Sequence, residues 1–291
     1  MTEDIVADFT GRFFINAGDD STPTSGRIIM TKRRLVLATT DDKTTIALSR
    51  VIDVNVGSVP NHVKNFFDDS ATIGYEGADG SIQSVVIESE GETLETFVAI
   101  LFRCLLNGRT VAVKHPARVG GRVKDTPVTT GKLRIKKRSI EIKTNREVIS
   151  LGIETIMNIT RSNKLGDRAE RVTLVVKSID DDGLSMTSLI SPSKGQYVNL
   201  LARFLRLEFD EIREEIEEID LSDPEKRVLV SVHATHGDID FTNMLDGNPA
   251  YVTNVLNSVK NKDLIVENGD RLSLTPKGRV IVSQRIEDVN A

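Results

Sequence analysis

Few side chains in this chain have the type and spacing for chemistry. His233 and His236 form an H-x-x-H pair near the end of a helical stretch, which would put two imidazole nitrogens at one helix end. A zinc site takes three or four protein ligands. No cysteine or third histidine lies close in sequence, so the pair reads as an exposed helix end. Cys104 is the only thiol, and it sits in an apolar stripe with Phe97, Ile100, Leu101 and Leu105. That spacing makes it a small core residue rather than a nucleophile. Asp180-Asp181-Asp182 has the look of a cation triad, but Gly183 follows and apolar alternation flanks it, which is a hairpin turn. His62 and His115 are expected in loops with no matched acid. Gly120-Gly121 falls in a basic linker with Arg118, Arg122 and Lys124, without the spacing of a phosphate-cradling loop. No nucleophile can be paired with a base. The expectation is no catalytic residue, no metal, no cofactor and no enzyme.

The elements that would position these groups belong to an ordinary globular chain of 291 residues, 39% hydrophobic and 28% charged. No apolar run reaches the ~18–20 residues of a membrane span. The first ten residues hold three acids and no base, unlike a secretory signal. One cysteine allows no internal disulfide, so a cytoplasmic location is expected. The net charge of −5 hides a strong segregation. Residues 1–110 carry 10 Lys/Arg against 16 Asp/Glu, 111–206 carry 19 against 9, 207–221 carry 1 against 8, and 222–291 carry 8 against 10.

An internal repeat organises the first two blocks. GRIIMTKRRLVLAT from Gly26 matches GKLRIKKRSIEIKT from Gly131 at a constant offset of 105. The match resumes after two turn indels at Val51/Ile156, Asp53/Asn158 and Val54/Ile159. Leu35, Leu37 and Ile140, Ile142 alternate as half-buried strands do. Hairpins follow at 71–88 and 171–189, and each unit ends in an amphipathic helix, Glu92–Asn107 and Ser193–Phe209. About seven strands closed by one helix is the plan of pleckstrin-homology-like barrels. Lys32, Arg33, Arg34 and Lys136, Lys137, Arg138 lie near the first hairpin of each unit, where the simpler reading is a solvated strand face.

The second helix runs on. Leu205, Phe209, Ile212, Ile216 and Ile219 step by four and three between glutamates, a short heptad seam that would serve as a connector, a docking face or a homodimer contact. Ser222-Asp223-Pro224 then starts a new helix. A short helix over Ile239–Leu245, a helix over Ala250–Lys262, a hairpin around Asn268-Gly269 and a last helix after Thr275-Pro276 complete a winged-helix pattern. DNA binding fits it poorly. The candidate recognition helix has cations only at Lys260 and Lys262, and the block is net negative. The expected fold class is thus α+β. Two tandem pleckstrin-homology-like domains (1–110 and 111–206) precede an acidic helical linker (207–221) and a winged-helix domain (222–291).

The paired G-x-[IL]-x-[MI]-x-K-R starts, the fused acidic helix and the terminal LTPKGR resemble the CheF family of archaeal taxis adaptors. The resemblance implies a cytoplasmic, non-catalytic go-between that joins the response regulator CheY to the cytosolic ring of the archaellum motor. It points to the C-terminal block for CheY, with Phe241, Met244, Tyr251, Asn254 and Lys260 as contacts; Leu245 and Val255 beside them read as core. The basic second repeat suits an acidic partner, so Lys136, Lys137 and Arg138 are candidates for the motor or a second partner. Phe66 and Phe67 join them, since adjacent phenylalanines in a polar loop cannot both point inward. Phe209, Ile212, Ile216 and Ile219 remain the candidate seam. The competing readings are a winged-helix transcriptional regulator and a peripheral membrane protein that uses the basic repeat.

Overall fold

The computed structural model describes residues 3–15, 23–57, 70–166, 170–180, 183–235, 239–245, 248–268 and 271–282. His62, Phe66, Phe67 and His236 lie outside the described residues. The class is mixed α and β with antiparallel sheets. The first sheet holds β1 (Ile5–Ile15), β2 (Thr24–Thr31), β3 (Arg34–Ala38), β4 (Lys43–Ala47), β5 (Val51–Val56), β6 (Ser70–Glu76) and β7 (Ile82–Glu88), and α1 (Gly91–Leu106) follows. The second holds β8 (Thr110–Val119), β9 (Arg122–Val123), β10 (Thr129–Lys136), β11 (Ser139–Thr144), β12 (Val148–Gly152), β13 (Ile156–Lys164), β14 (Glu170–Ile179) and β15 (Ser185–Pro192), and α2 (Gly195–Glu217) follows.

The two sheets share one strand order, β4-β3-β2-β1-β7-β6-β5 and β12-β11-β10-β8-β15-β14-β13, with β9 added beside β8. Local details repeat as well. The Thr39 hydroxyl accepts from the Asp41 and Asp42 N–H groups, as that of Thr144 does from Arg146 and Glu147. Leu48 N–H donates to the Arg33 carbonyl as Ile153 N–H does to that of Arg138. The repeat glycines have a steric reason: a Cβ on Gly26 would strike the Ala38 carbonyl, and one on Gly131 would lie 2.8 Å from the Lys143 carbonyl. The partner strand passes too close for any side chain.

Two elements depart from the sequence expectation. The basic segment around Gly120-Gly121, from Arg118 to Lys124, is not a linker, because Arg118 belongs to β8, the central strand of the second sheet, and Gly120-Gly121 is the left-handed turn into β9. His115 therefore lies on a strand rather than in a loop, with Nδ1 2.7 Å from the Ser188 hydroxyl and its pKa lowered by burial. β1 is the matching central strand of the first sheet. Both strands carry polar breaks (Gly11 and Arg12; His115 and Pro116), so pairing with two neighbours, not their own alternation, makes them strands.

The helices bury apolar faces at helical spacing, Leu94, Phe97, Val98, Leu101 and Leu105 in α1 and Val198, Leu201, Leu205, Ile212 and Ile216 in α2. At 23 residues α2 is about 34 Å long. After it come α3 (Asp223–Thr235), α4 (Phe241–Met244), α5 (Pro249–Asn261), the hairpin β16 (Ile265–Asn268) and β17 (Arg271–Leu274), and α6 (Pro276–Ile281). Asp240, Asn248 and Thr275 cap α4, α5 and α6. Gly278 is needed in the TPKGR segment because a Cβ there would meet the Leu264 carbonyl. One buried cluster runs from the first sheet to these last helices.

A candidate partner-binding cleft between the repeats

The repeats are stitched directly together. α1 ends at Leu106 and β8 begins at Thr110; between them Gly108 N–H donates to the Leu133 carbonyl, and the Asn107 side chain accepts from Ile135 N–H at 2.6 Å. α2 packs on the outer strand β5 of the first sheet. Gln196 donates to the Ser49 and Val51 carbonyls, and Arg203 makes a two-pronged contact with Asp53 at 3.2 and 3.3 Å. The Arg109 guanidinium lies 4.3 Å above the Tyr197 ring. Phe102 of α1 and Phe204 of α2 meet at 5.6 Å between ring centroids.

Where these helices diverge, a cleft of about 690 Å³ opens between α1, α2 and the β10–β11 hairpin. Its floor is apolar, with Val98, Phe102, Phe204 and Leu207. Its charged lining is basic on the β10–β11 hairpin (Lys136, Lys137 and Arg138), acidic along α2 from Glu208 to Glu215, and mixed on α1 with Glu95 and Arg103. Burial pushes the Glu208 carboxyl up, and Glu211 adds to this, while Arg103 and Arg138 pull the other way. Glu215 is lowered, chiefly by a hydrogen bond from Lys277. It accepts from Lys277 Nζ at 2.9 Å and from the Arg138 guanidinium at 2.8 and 3.2 Å. That three-membered cluster joins the β10–β11 turn, where Arg138 has φ +58°, to α2 and α6. An apolar floor within a charged lining suits a protein segment, which buries apolar surface at the centre and is aligned by charge at the rim.

The residues singled out from sequence lie in three places. Lys136, Lys137 and Arg138 line this cleft, with Lys136 also paired to Glu141 and Arg138 to Glu215. Ile212 and Ile216 of the seam are buried in the chain's own core, and Phe209 and Ile219 pack half-buried against it. In the C-terminal block Tyr251 is 43% exposed and Asn254 is exposed. Phe241 and Met244 are half-buried against the core, and Lys260 pairs with Glu267 at 2.7 Å. Leu245 and Val255 are buried. Sequence reasoning passed over Phe102, Arg103 and Glu208, because a helix stripe shows that a residue packs but not which neighbour it faces.

The remaining chemical candidates among the described residues take ordinary structural places, and Asp181 and Asp182 lie outside those residues. Cys104 is half-buried, and burial pushes its thiol up, away from the reactive thiolate. Asp180 accepts the Leu184 N–H in the β14–β15 turn. Among the described residues no three His, Cys, Asp or Glu side chains are grouped to hold a metal, and no helix is long and apolar enough to cross a membrane.

Glu225 organises the C-terminal block. It accepts from Ser222 N–H (2.7 Å), the Ser222 hydroxyl (2.8 Å), the Ser258 hydroxyl (2.7 Å) and Lys262 Nζ (2.6 Å). Burial alone would raise its pKa, but these donors outweigh that and hold it down at about 2. Lys262 also donates to the Asp220 carbonyl, so the start of α3 and the end of α5 are fastened to the exit of α2.

Comparison with known proteins supplies the biological setting. Residues 5–211, both sheets and most of α2, match the family described as archaeal chemotaxis signal transduction system protein F. Taxis protein CheF2 of Halobacterium salinarum is 33% identical over 290 residues, covering 100% of both chains. Taxis protein CheF1 of the same organism is 25% identical over 296 residues, covering 97% of each. A family match over most of the chain, together with a full-length relative, establishes that this chain belongs to the archaeal chemotaxis protein F family and works in chemotaxis signal transduction.

Proposed function

We propose that the chain is a non-enzymatic adaptor that binds phosphorylated CheY and relays the signal to the cytosolic ring of the archaellum motor. The observation that carries this reading is membership of a chemotaxis signalling family, and the cleft of about 690 Å³ with its charged and apolar lining supplies a separate surface for a second partner. In this reading 1–110 and 111–206 are pleckstrin-homology-like units, each a seven-stranded path ending in a helix. Residues 207–221 are the acidic helical linker and 222–291 form a winged helix. The protein works at the cytoplasmic face of the motor.

CheY docks on α4 and α5, where Tyr251 and Asn254 are exposed, flanked by Phe241, Met244 and Lys260. The motor side uses the cleft rim at Lys136, Lys137 and Arg138, with Phe66 and Phe67 as further contacts. Phosphorylation is read by differential affinity: the adaptor favours the active form of CheY and so shifts its population.

The test is titration of the full-length chain with purified CheY, with and without beryllofluoride. At least a tenfold tighter complex with the activated form is expected, equivalent to ~1.4 kcal/mol. Equal affinity for both forms would sink the reading.

A further inference from the structure

The registers of the two sheets reveal a difference that composition alone leaves unplaced. In the second sheet Val148, Lys143, Lys132 and Thr110 stand opposite one another across β12, β11, β10 and β8. Further along, Arg118, Thr187, Lys177 and Asn158 align across β8, β15, β14 and β13. Side chains alternate between faces along a strand. The residues between these positions, such as Leu133, Ile142, Val113, Val176 and Ile190, are buried in the core. Lys114, Arg118, Lys132, Arg134, Lys143 and Lys177 therefore share the opposite face, and all but the half-exposed Lys114 are exposed.

Among the described residues none of these six has an ion-pair partner, and the one carboxylate on the strands of that face, Glu141, is taken by Lys136. Lys132 stands directly opposite Lys143, and its ammonium donates to the Thr110 hydroxyl. Like charges directly opposite on neighbouring strands destabilise a sheet. On the corresponding face of the first sheet most charges are paired internally, and the other strand charges there, Lys43 and Glu76, are one of each sign. Arg12 pairs with Glu88 at 2.9 Å, Arg27 with Asp8 at 2.6 Å and Arg34 with Glu3 at 3.0 Å. One scaffold thus carries a largely self-paired face in one copy and an unpaired cationic face in the other.

We infer that the outer face of the second sheet is a docking surface for an acidic protein. The ladder holds these cations in fixed positions: Lys132 lies about 4.8 Å from Lys143 across the strands and about 6.6 Å from Arg134 along its own, with Glu141 opposite Arg134, while Arg118 and Lys177 stand at the other end of β8 with β15 between them. Cations so fixed complement carboxylates fixed on a folded surface, and unpaired charge of one sign steers such a partner in. A lipid surface fits less well. The exposed valines of this face, Val148 and Val123, stand at opposite corners, and the apolar pair Val175 and Leu189 beside Lys114 is half-buried, so the face has no contiguous exposed apolar patch to insert. Single-stranded nucleic acid calls for aromatic platforms, which these strand positions do not provide. The inference is independent of the CheY reading and of the cleft.

The test uses the full chain and three probes: a poly-L-glutamate peptide, phosphatidylglycerol vesicles and a DNA duplex. The variant K132Q/R134Q/K143Q is compared with K194Q/R206Q/R227Q, which removes the same charge from exposed positions elsewhere. The face variant should bind the peptide about tenfold more weakly at low salt, the control should match the parent, and added salt should erase the difference. An equal loss in both variants would reduce the effect to net charge and overturn the inference. So would failure of the parent to bind the peptide, or vesicle or duplex binding that depends on this face and is tighter than peptide binding.

Discussion

Replacing Glu225 by Gln should loosen the whole C-terminal block in a way that depends on pH. The side chain is 6% exposed and receives four hydrogen bonds, one from the Lys262 ammonium. Holding the carboxyl at about 2 against an ordinary 4.5 corresponds to roughly 3 kcal/mol, at ~1.4 kcal/mol per pH unit. The folded value lies below the unfolded one, so the unfolded chain binds more protons in the window between them. The stabilisation is present in full above pH 4.5 and is lost as pH falls through about 2. By the same linkage less than half of it, roughly 1.4 kcal/mol, remains at about pH 3. Glutamine keeps the shape and some hydrogen bonds but leaves Lys262 without its counter-charge. The assay is hydrogen exchange of the α3 and α5 amides, with parent and variant compared at each pH so that intrinsic exchange rates cancel. The expected loss of protection near neutrality is roughly 2–3 kcal/mol, shrinking below pH 4.5. A loss under ~1 kcal/mol at pH 7, or an equal loss at pH 7 and pH 3, would refute the reasoning.

Other expectations follow from the same geometry. Ile216→Ala should cost roughly 2–4 kcal/mol in urea denaturation because the side chain is 4% exposed in the core; an effect below ~0.5 would place it outside that core. Gly131→Ala should destabilise the second sheet by more than ~1 kcal/mol, since a Cβ would press on the Ile142 methyl and the Lys143 carbonyl. A melting temperature equal to that of the parent contradicts this. Tyr251→Ala should weaken activated CheY binding about tenfold with unchanged circular dichroism, because the ring is 43% exposed. Undiminished binding removes Tyr251 from the contact. Glu215→Gln should speed exchange in α6 with little change in overall stability, as partly exposed pairs contribute only ~0.2–1 kcal/mol each. Unchanged exchange means the cluster does not hold α6.

Much of the architecture was legible in the sequence because it is local. The offset of 105 between Gly26 and Gly131 carries through to matching strands, threonine-braced turns and a shared strand order, since alternation and turn chemistry act over a few residues. The caps at Asn248 and Thr275, and the helices they start, were readable for the same reason. The family could be read from the order of these parts. What the tertiary structure alone decided is which faces meet. The basic segment around Gly120-Gly121 reads as a linker, yet it is the end of the central strand β8 and its turn into β9, because a strand with neighbours on both sides is defined by partners distant in sequence. The seam at Ile212 and Ile216 looks open in a heptad pattern, but it is closed by the chain's own core. The surplus of positive charge in the second repeat is visible in a residue count. Only the strand register places it on one face, because neighbours across a ladder are set by pairing and not by sequence distance.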